Sequence, residues 1–253
     1  MRLDKLVAEQ TGSTRSAVKG LIQSGRVTVN GLVVKDGAKK VSEEEDEVAL
    51  DGEVFRFQRF AYFMLNKPAG VVSATRDKAD ATVVALLDAS DRKKRKLFPV
   101  GRLDKDTEGL LLITDDGMLS HQLLSPRKHA DKLYFARLTR DITKEEVALF
   151  ASGMKVDEEL TAMPAELRKL TEEERDVFFQ GEDFAAAVTL CEGKFHQVKR
   201  MFAATGNEVL YLKRIAMGGV TLDPKLLPGQ YRELSKEELD CLRMSVEHNS
   251  EDS

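Results

Sequence analysis

Apolar residues recur along the first fifty positions at two different periods. Leu3, Leu6 and Val7 fall at the three-to-four spacing of one helical face, which predicts a short amphipathic helix over 2–10. Gly12-Ser13-Thr14 breaks it, and Ser13 or Thr14 can cap a second helix to about Ser24, with Val18, Leu21 and Ile22 on its apolar face. Past Gly25 the period falls to two. Val27-x-Val29 and Val33-Val34 flank Asn30-Gly31, the dipeptide that favours a type I′ hairpin. Val41 and the run 48–50 predict another short strand, and 51–60 reads as a linker.

The longer remainder opens on Ala61-Tyr-Phe-Met-Leu-Asn-Lys67-Pro68-Ala-Gly70-Val-Val. This reads as a strand, a turn and a second short apolar strand, since Pro68 cannot donate to a ladder. Helical spacing or length predicts helices over 82–87, 117–124, 144–153, 195–205 and 236–244, with 91–96 a charged loop or helix end. Strands are predicted over 109–114, 132–139, 165–170, 184–191, 208–212 and 231–234. Strands outnumber helices and mostly follow short connections. The expected fold is α+β: a small N-terminal helix–helix–hairpin domain, then a larger domain with a mixed, mainly antiparallel sheet flanked by helices. The expected boundaries are 1–56, 60–240 and a flexible tail over 241–253.

Composition changes this picture little. At 42% hydrophobic and 32% charged residues, the 253-residue chain is globular in type. It has no apolar run of the length a membrane helix needs, so no membrane partner is expected. The opening Met-Arg-Leu-Asp-Lys-Leu lacks the apolar core of a secretion signal, and a cytoplasmic location is expected. Cys191 and Cys241 stand in no metal or redox motif and read as free thiols. The four histidines show no ligand spacing, so no metal is expected.

Charge is more informative. The net value is −4, yet residues 1–42 carry eight basic side chains against three acidic ones. Arg2, Lys5, Arg15, Lys19 and Arg26 belong to that surplus. A basic face on an acidic protein suits phosphate binding that is steered and selective.

The chemistry concentrates in Gly101-Arg102-Leu103-Asp104-Lys105-Asp106-Thr107-Glu108-Gly109-Leu110-Leu111-Leu112. A charged turn sits against an apolar strand and presents Asp104 between Leu103 and Lys105. A rigid scaffold with an exposed loop carboxylate can present a nucleophile or base. Further along, Lys132-Leu-Tyr134 places a ring on a strand. Glu192-Gly193-Lys194-Phe195-His196-Gln197-Val198-Lys199-Arg200 puts cations at a helix start, where the dipole disfavours them. Such a local mismatch suggests a functional charge.

The fixed letters Gly-Arg-Leu-Asp-x-x-Thr-x-Gly-Leu-Leu resemble the catalytic motif of the pseudouridine synthases, in the branch acting on small-subunit ribosomal RNA. Asn66-Lys67-Pro68-x-Gly70, Lys132-x-Tyr134, His196-Gln197-Val198-Lys199 and Leu212-Lys213-Arg214-Ile215 resemble further motifs of that family, in order. The N-terminal unit resembles the small RNA-binding domain first described in ribosomal protein S-four. The resemblance implies isomerisation of a uridine to pseudouridine in 16S rRNA by base flipping, without a cofactor. It implies that Asp104 is the nucleophile or base, attacking covalently or abstracting a sugar proton. Tyr134 would stack on the base, and Lys199 would pair with Asp104, with Arg200 as its alternative. Arg102 would contact phosphate or fill the gap left by the base. Leu103 and Leu212 would wall the pocket, and Lys67 and Lys132 would join the substrate contacts, Lys67 shaping the site. His196 reads as structural, and Asp106 as a solvated or capping carboxylate. The implied partner is ribosomal RNA in a partially assembled small subunit, met by a monomer.

Three other readings stand beside this one: the same chemistry on 23S rRNA, a noncatalytic RNA-binding protein, and an RNA methyltransferase. The last needs a glycine-rich cofactor loop after a strand, and the sequence contains neither Gly-x-Gly-x-x-Gly nor a Walker lysine.

Overall fold

The structure is a computed structural model that describes residues 1–42, 46–55, 60–125, 130–178 and 184–247. The chain divides into two compact units, Met1–Phe60 and Ala61–Ser253.

In the first unit, α1 (Leu3–Thr11) and α2 (Arg15–Gln23) pack on a four-stranded sheet. Its strands are β1 (Val27–Val29), β2 (Leu32–Val33), β3 (Val48–Leu50) and β4 (Glu53–Phe55), in the order β2-β1-β3-β4. The caps follow from side-chain chemistry. Gly12 closes α1 in the left-handed region, and the Thr14 hydroxyl accepts from Ala17 N to start α2. Asn30 and Gly31 both have positive φ, as a type I′ turn requires. Leu3, Leu6, Val7, Val18 and Ile22 meet Val27, Val29 and Val48 in one small core. Two expectations change here. Val41 joins no strand, and Glu53–Phe55 is not linker but pairs with β3 through the Asp51-Gly52 turn. Residues 56–59 of the expected linker lie outside the described residues.

The second unit is built on a nine-stranded sheet, among the described residues. Its main path uses β5 (Tyr62–Lys67), β7 (Glu108–Thr114), β8 (Lys132–Leu138), β11 (Glu166–Lys169), β12 (Ala185–Leu190), β13 (Val209–Met217) and β15 (Tyr231–Glu233). The order is β11-β12-β8-β13-β7-β5-β15, with β6 (Phe98–Pro99) added to β7 and β14 (Val220–Thr221) to β13. A small hairpin of β9 (Met154–Lys155) and β10 (Thr161–Ala162) lies apart. The helices are α3 (Ala89–Lys94), α4 (Gly117–Leu124), α5 (Lys144–Ser152), α6 (Glu172–Phe178), α7 (Gln197–Ala204) and α8 (Lys236–Glu247). The expected α+β class and mainly antiparallel sheet are what the structure has.

One join departs from the antiparallel rule. β7 meets β13 in parallel through two register pairs, Glu108 with Lys213 and Gly109 with Arg214. This seam divides the sheet into β11-β12-β8-β13 on one side and β7-β5-β15 on the other. Gly109 has φ +99°, and a Cβ there would lie 2.2 Å from the Arg214 carbonyl oxygen. Only glycine lets the strands approach so closely. The Arg214 Nε–H donates to the Leu110 carbonyl at 2.8 Å and the Tyr211 hydroxyl to Glu108 at 2.8 Å, stitching the seam.

Other expectations also shift. Val71-Val72 forms no strand; Val72 makes an isolated bridge to Thr82, and 83–86 is a single 3₁₀ turn. α8 extends to Glu247 and buries Leu242 and Val246, so 241–247 is packed helix, not tail. Burial of that apolar stripe outweighs its polar neighbours.

Candidate active site

Asp104 sits in the turn that leads into β7, and that turn is fastened from below. Thr107 N donates to the Asp104 carbonyl at 3.1 Å, and Gly70 N donates to the Lys105 carbonyl at 2.7 Å. Ser73 closes a two-way latch: its hydroxyl donates to the Leu103 carbonyl at 2.8 Å and accepts from Leu103 N at 3.0 Å. Lys67 is wholly buried under the turn. Its Nζ donates to the carbonyls of Thr107 at 2.8 Å, Pro68 at 3.0 Å and Lys105 at 3.3 Å. Burial pushes Lys67 down to about 8, against the upward pull of Glu108, Asp106 and Asp104. Lys67 therefore holds the loop from inside and is not a surface contact.

Across the seam, β8, β12, β13 and α7 supply the other wall. Tyr134, Leu190 and Leu212 share one sheet face with Lys132 and Arg214. An open cleft of about 400 Å³ is lined by Arg102, Leu103, Asp104, Thr107, Tyr134, Leu190, Lys194, His196, Val198 and Leu212, among others. It is open to solvent and mixes apolar walls with a few polar groups. Tyr134, Leu103 and Leu212 are buried in its walls, while Arg102 is exposed at its mouth. The hydroxyl of Thr107 lies buried on the same wall with no hydrogen-bond partner among the described residues.

The cations around Asp104 are arranged differently from expectation. Lys199 Nζ lies 3.7 Å from Asp104 Oδ2, but it grips Asp106, at 2.7 and 2.8 Å from its two oxygens. That hydrogen bond holds the Asp106 carboxyl below the usual carboxylate range. His196 Nε2 stands 3.5 Å from Asp104 Oδ1. Asp104 thus faces two basic side chains while its own side chain remains about one-quarter exposed. Arg200, the alternative partner, points elsewhere and binds Asp157, with Nε to Oδ2 at 2.8 Å.

Lys132 also departs from expectation. It is buried, and its Nζ donates to the carbonyls of Ala130 at 2.7 Å and Cys191 at 3.0 Å. Burial, reinforced by neighbouring Arg214, pushes it down to about 8. A cation enclosed in this way braces the sheet face and does not meet RNA.

In the first unit, Arg2, Arg15, Lys19 and Lys35 line one open cleft of about 890 Å³, together with Asp4 and Asp36. Two of the expected contacts lie outside it. Arg26 forms a fork with Asp51, with bonds of 2.8 and 2.5 Å, and Lys5 lies 3.7 Å from Glu9. Lys35 belongs to the cleft and was passed over in sequence, where a lone lysine after a hairpin carries no signal.

The family model described as RNA pseudouridylate synthase matches residues 61–204, and that of the S4 domain matches residues 1–48. The chain is 43% identical to an uncharacterized RNA pseudouridine synthase of Bacillus subtilis, over 96% of this chain and 98% of the relative. It is 42% identical to the ribosomal small subunit pseudouridine synthase A of Escherichia coli, over 94% of this chain and 98% of the relative. A crystal structure of pseudouridylate synthase, 38% identical in sequence, matches with a TM-score of 0.64 over 96% of this chain and 99% of that one.

Proposed function

The chain belongs to the RNA pseudouridylate synthase family, and from that membership we propose that it converts a specific uridine of small-subunit (16S) ribosomal RNA to pseudouridine. The reaction breaks the N1–C1′ glycosidic bond, turns the uracil in place and joins C5 to C1′. The proton on C5 leaves and N1 gains one, so no redox change occurs and no cofactor is called for.

The observation that carries the reading is the convergence of Asp104, Tyr134 and Leu212 on one cleft, from strands on opposite sides of a sheet seam. Asp104 acts as nucleophile at C1′ or as base on the sugar, and either role needs an ionised carboxylate held still. Lys67 and Ser73 supply the stillness from beneath, Lys199 supplies favourable charge from the front, and the His196 imidazole stands beside the carboxylate. Tyr134 offers a π face to the extruded base, and the apolar walls retain the detached uracil against loss to water. The buried hydroxyl of Thr107 is a spare donor and acceptor at that wall.

Residues 1–56 serve as an RNA anchor of S-four type and residues 60–240 as the catalytic domain. The basic cleft of Arg2, Arg15, Lys19 and Lys35 suits backbone phosphates of folded RNA, which fix register and not sequence. The substrate is ribosomal RNA within a partially assembled small subunit, and the enzyme acts as a cytoplasmic monomer.

Pseudouridine mapping by carbodiimide adduct and primer extension tests this, on unmodified 16S and 23S rRNA and on partially assembled subunits. A single new stop on 16S RNA is expected, lost with Asp104→Asn. A stop on 23S RNA would overturn the substrate. A stop that survives Asp104→Asn would overturn the role of Asp104.

A further inference from the structure

Phe195 takes no part in the chemistry above, yet its setting is unusual. Phe195 is 70% exposed. It lies stacked on the imidazole of His196, with centroids 3.8 Å apart and planes 19° apart. His196 in turn stands 3.5 Å from Asp104.

The loop that carries this pair is fixed. The buried Glu192 carboxylate accepts from Met163 N at 2.8 Å and from Gln197 Nε2 at 2.5 Å, and it pairs with Lys194 at 2.9 Å. Gln197 Oε1 accepts from Lys194 N at 3.0 Å. His196 has φ +51°, a conformation that non-glycine residues rarely take. A single exposed apolar side chain needs no explanation by itself. A ring propped on a strained, hydrogen-bonded loop at the rim of the cleft, with one face covered by imidazole and the other open, is a built surface. Arg102, exposed, lines the same cleft and supplies charge for a phosphate chain passing it.

We propose that Phe195 is a stacking platform for the nucleobase adjoining the target uridine. The inference rests on the RNA pseudouridine synthase reading above. When the uridine swings into the cleft, its neighbour loses a stacking partner, and the open face of Phe195 replaces it. The resulting stack runs from base to Phe195 to His196 and ends beside Asp104. An aromatic face suits this role because every base has a π face, so the contact needs no particular neighbouring sequence.

The test compares wild type with Phe195→Ala, Phe195→Leu and Phe195→Tyr on the RNA substrate that mapping identifies. Single-turnover pseudouridine formation gives the half-saturating enzyme concentration and the saturating rate, and fluorescence anisotropy gives the affinity for the same RNA. Half-saturation and Kd are expected to rise roughly ten-fold for Ala and for Leu and to stay within about two-fold for Tyr. The loss should fall on binding, with the saturating rate reduced less than about three-fold. Leu matching wild type would show that apolar area and not the ring matters, and would overturn the platform. So would an Ala variant that loses rate at unchanged affinity, which would make Phe195 a prop for His196. A wild type that binds RNA but forms no pseudouridine would overturn the enzymatic reading, while the anisotropy series would still decide the platform.

Discussion

At the scale of single residues, buried cations set the tone of this protein. Lys132 is enclosed on the sheet face beside the cleft and held at about 8, first by burial and then by Arg214. An unfolded lysine keeps its proton to about 10.4. Between those two values the unfolded chain binds more protons than the folded one, so stability rises with pH across that window. Below about 8 both states are charged, and the cost of burying the charge is present in full. Lys132→Met lacks the titration, while its lost bonds to Ala130 and Cys191 act at every pH. The melting temperature of wild type minus that of Lys132→Met should therefore climb between about pH 7.5 and pH 10. A flat difference in calorimetry would mean that water reaches the ammonium and that it is not enclosed. The family resemblance puts Lys132 and Lys67 among the substrate contacts, Lys67 as a residue that shapes the site. Nothing in one dimension shows that their ammonium groups turn inward onto carbonyls. Asp104, Tyr134 and Leu212 were legible, since their neighbours follow a fixed wording. Asp106 was not, because its grip on Lys199 spans 93 positions of chain. His196 reads as structural in sequence for a similar reason: its approach to Asp104 depends on a left-handed backbone that no spacing rule announces.

At the scale of elements, the parallel seam between β7 and β13 decides whether a site exists at all. The turn bearing Asp104 belongs to the β7 side, and Tyr134, Leu212 and Lys199 belong to the other side. Two register pairs hold the sides together, and Gly109 is in one of them. Gly109→Ala would put a methyl group 2.2 Å from the Arg214 carbonyl oxygen at φ +99°. Backbone strain and overpacking act together there, and the loss should be on the order of 3 kcal/mol or more. Pseudouridine formation should fall further than stability alone explains, because the acid and the base platform separate. Gly117→Ala is the matched control: it opens α4, its φ is not positive, and no atom lies within 4 Å of the added carbon. It should leave the melting temperature within about 3 °C of wild type. Equal behaviour of the two variants would remove the seam from the argument. Helices and long strands were readable from period and caps, as Thr14 at the start of α2 illustrates; the Asp116 cap and the Thr143–Glu146 capping box come from the structure. The two-residue strands β9, β10 and β14 were not, since two residues carry no period. The parallel join was unreadable too, because Gly109 looks like any glycine at a strand start until Arg214 is placed beside it.

For the molecule as a whole, the acidic net charge of −4 conceals a division between the two units. The basic surplus over residues 1–42 was plain in sequence, but the side chains that share a surface were not. Arg26, Lys5 and Arg2 spend their charge on Asp51, Glu9 and Asp4, whereas Arg15, Lys19 and Lys35 gather on the one cleft that Arg2 also lines. If that cleft meets phosphates, its contribution is the release of counterions, and it must weaken as salt rises. The combined variant Arg15→Ala, Lys19→Ala and Lys35→Ala should bind the RNA substrate more weakly at about 0.1 M salt. The slope of log affinity against log salt should become shallower by roughly two, since each phosphate contact contributes about 0.7 to 0.9. Because these contacts position the strand and read no base, the same uridine should still be the one modified. Arg26→Ala should change the slope little, as its fork to Asp51 leaves little charge to give. An unchanged slope in the triple variant would move RNA anchoring out of the first unit. It would then fall to Arg102 at the catalytic cleft, and an acidic enzyme would be holding its RNA chiefly by the base it flips and the rings beside it.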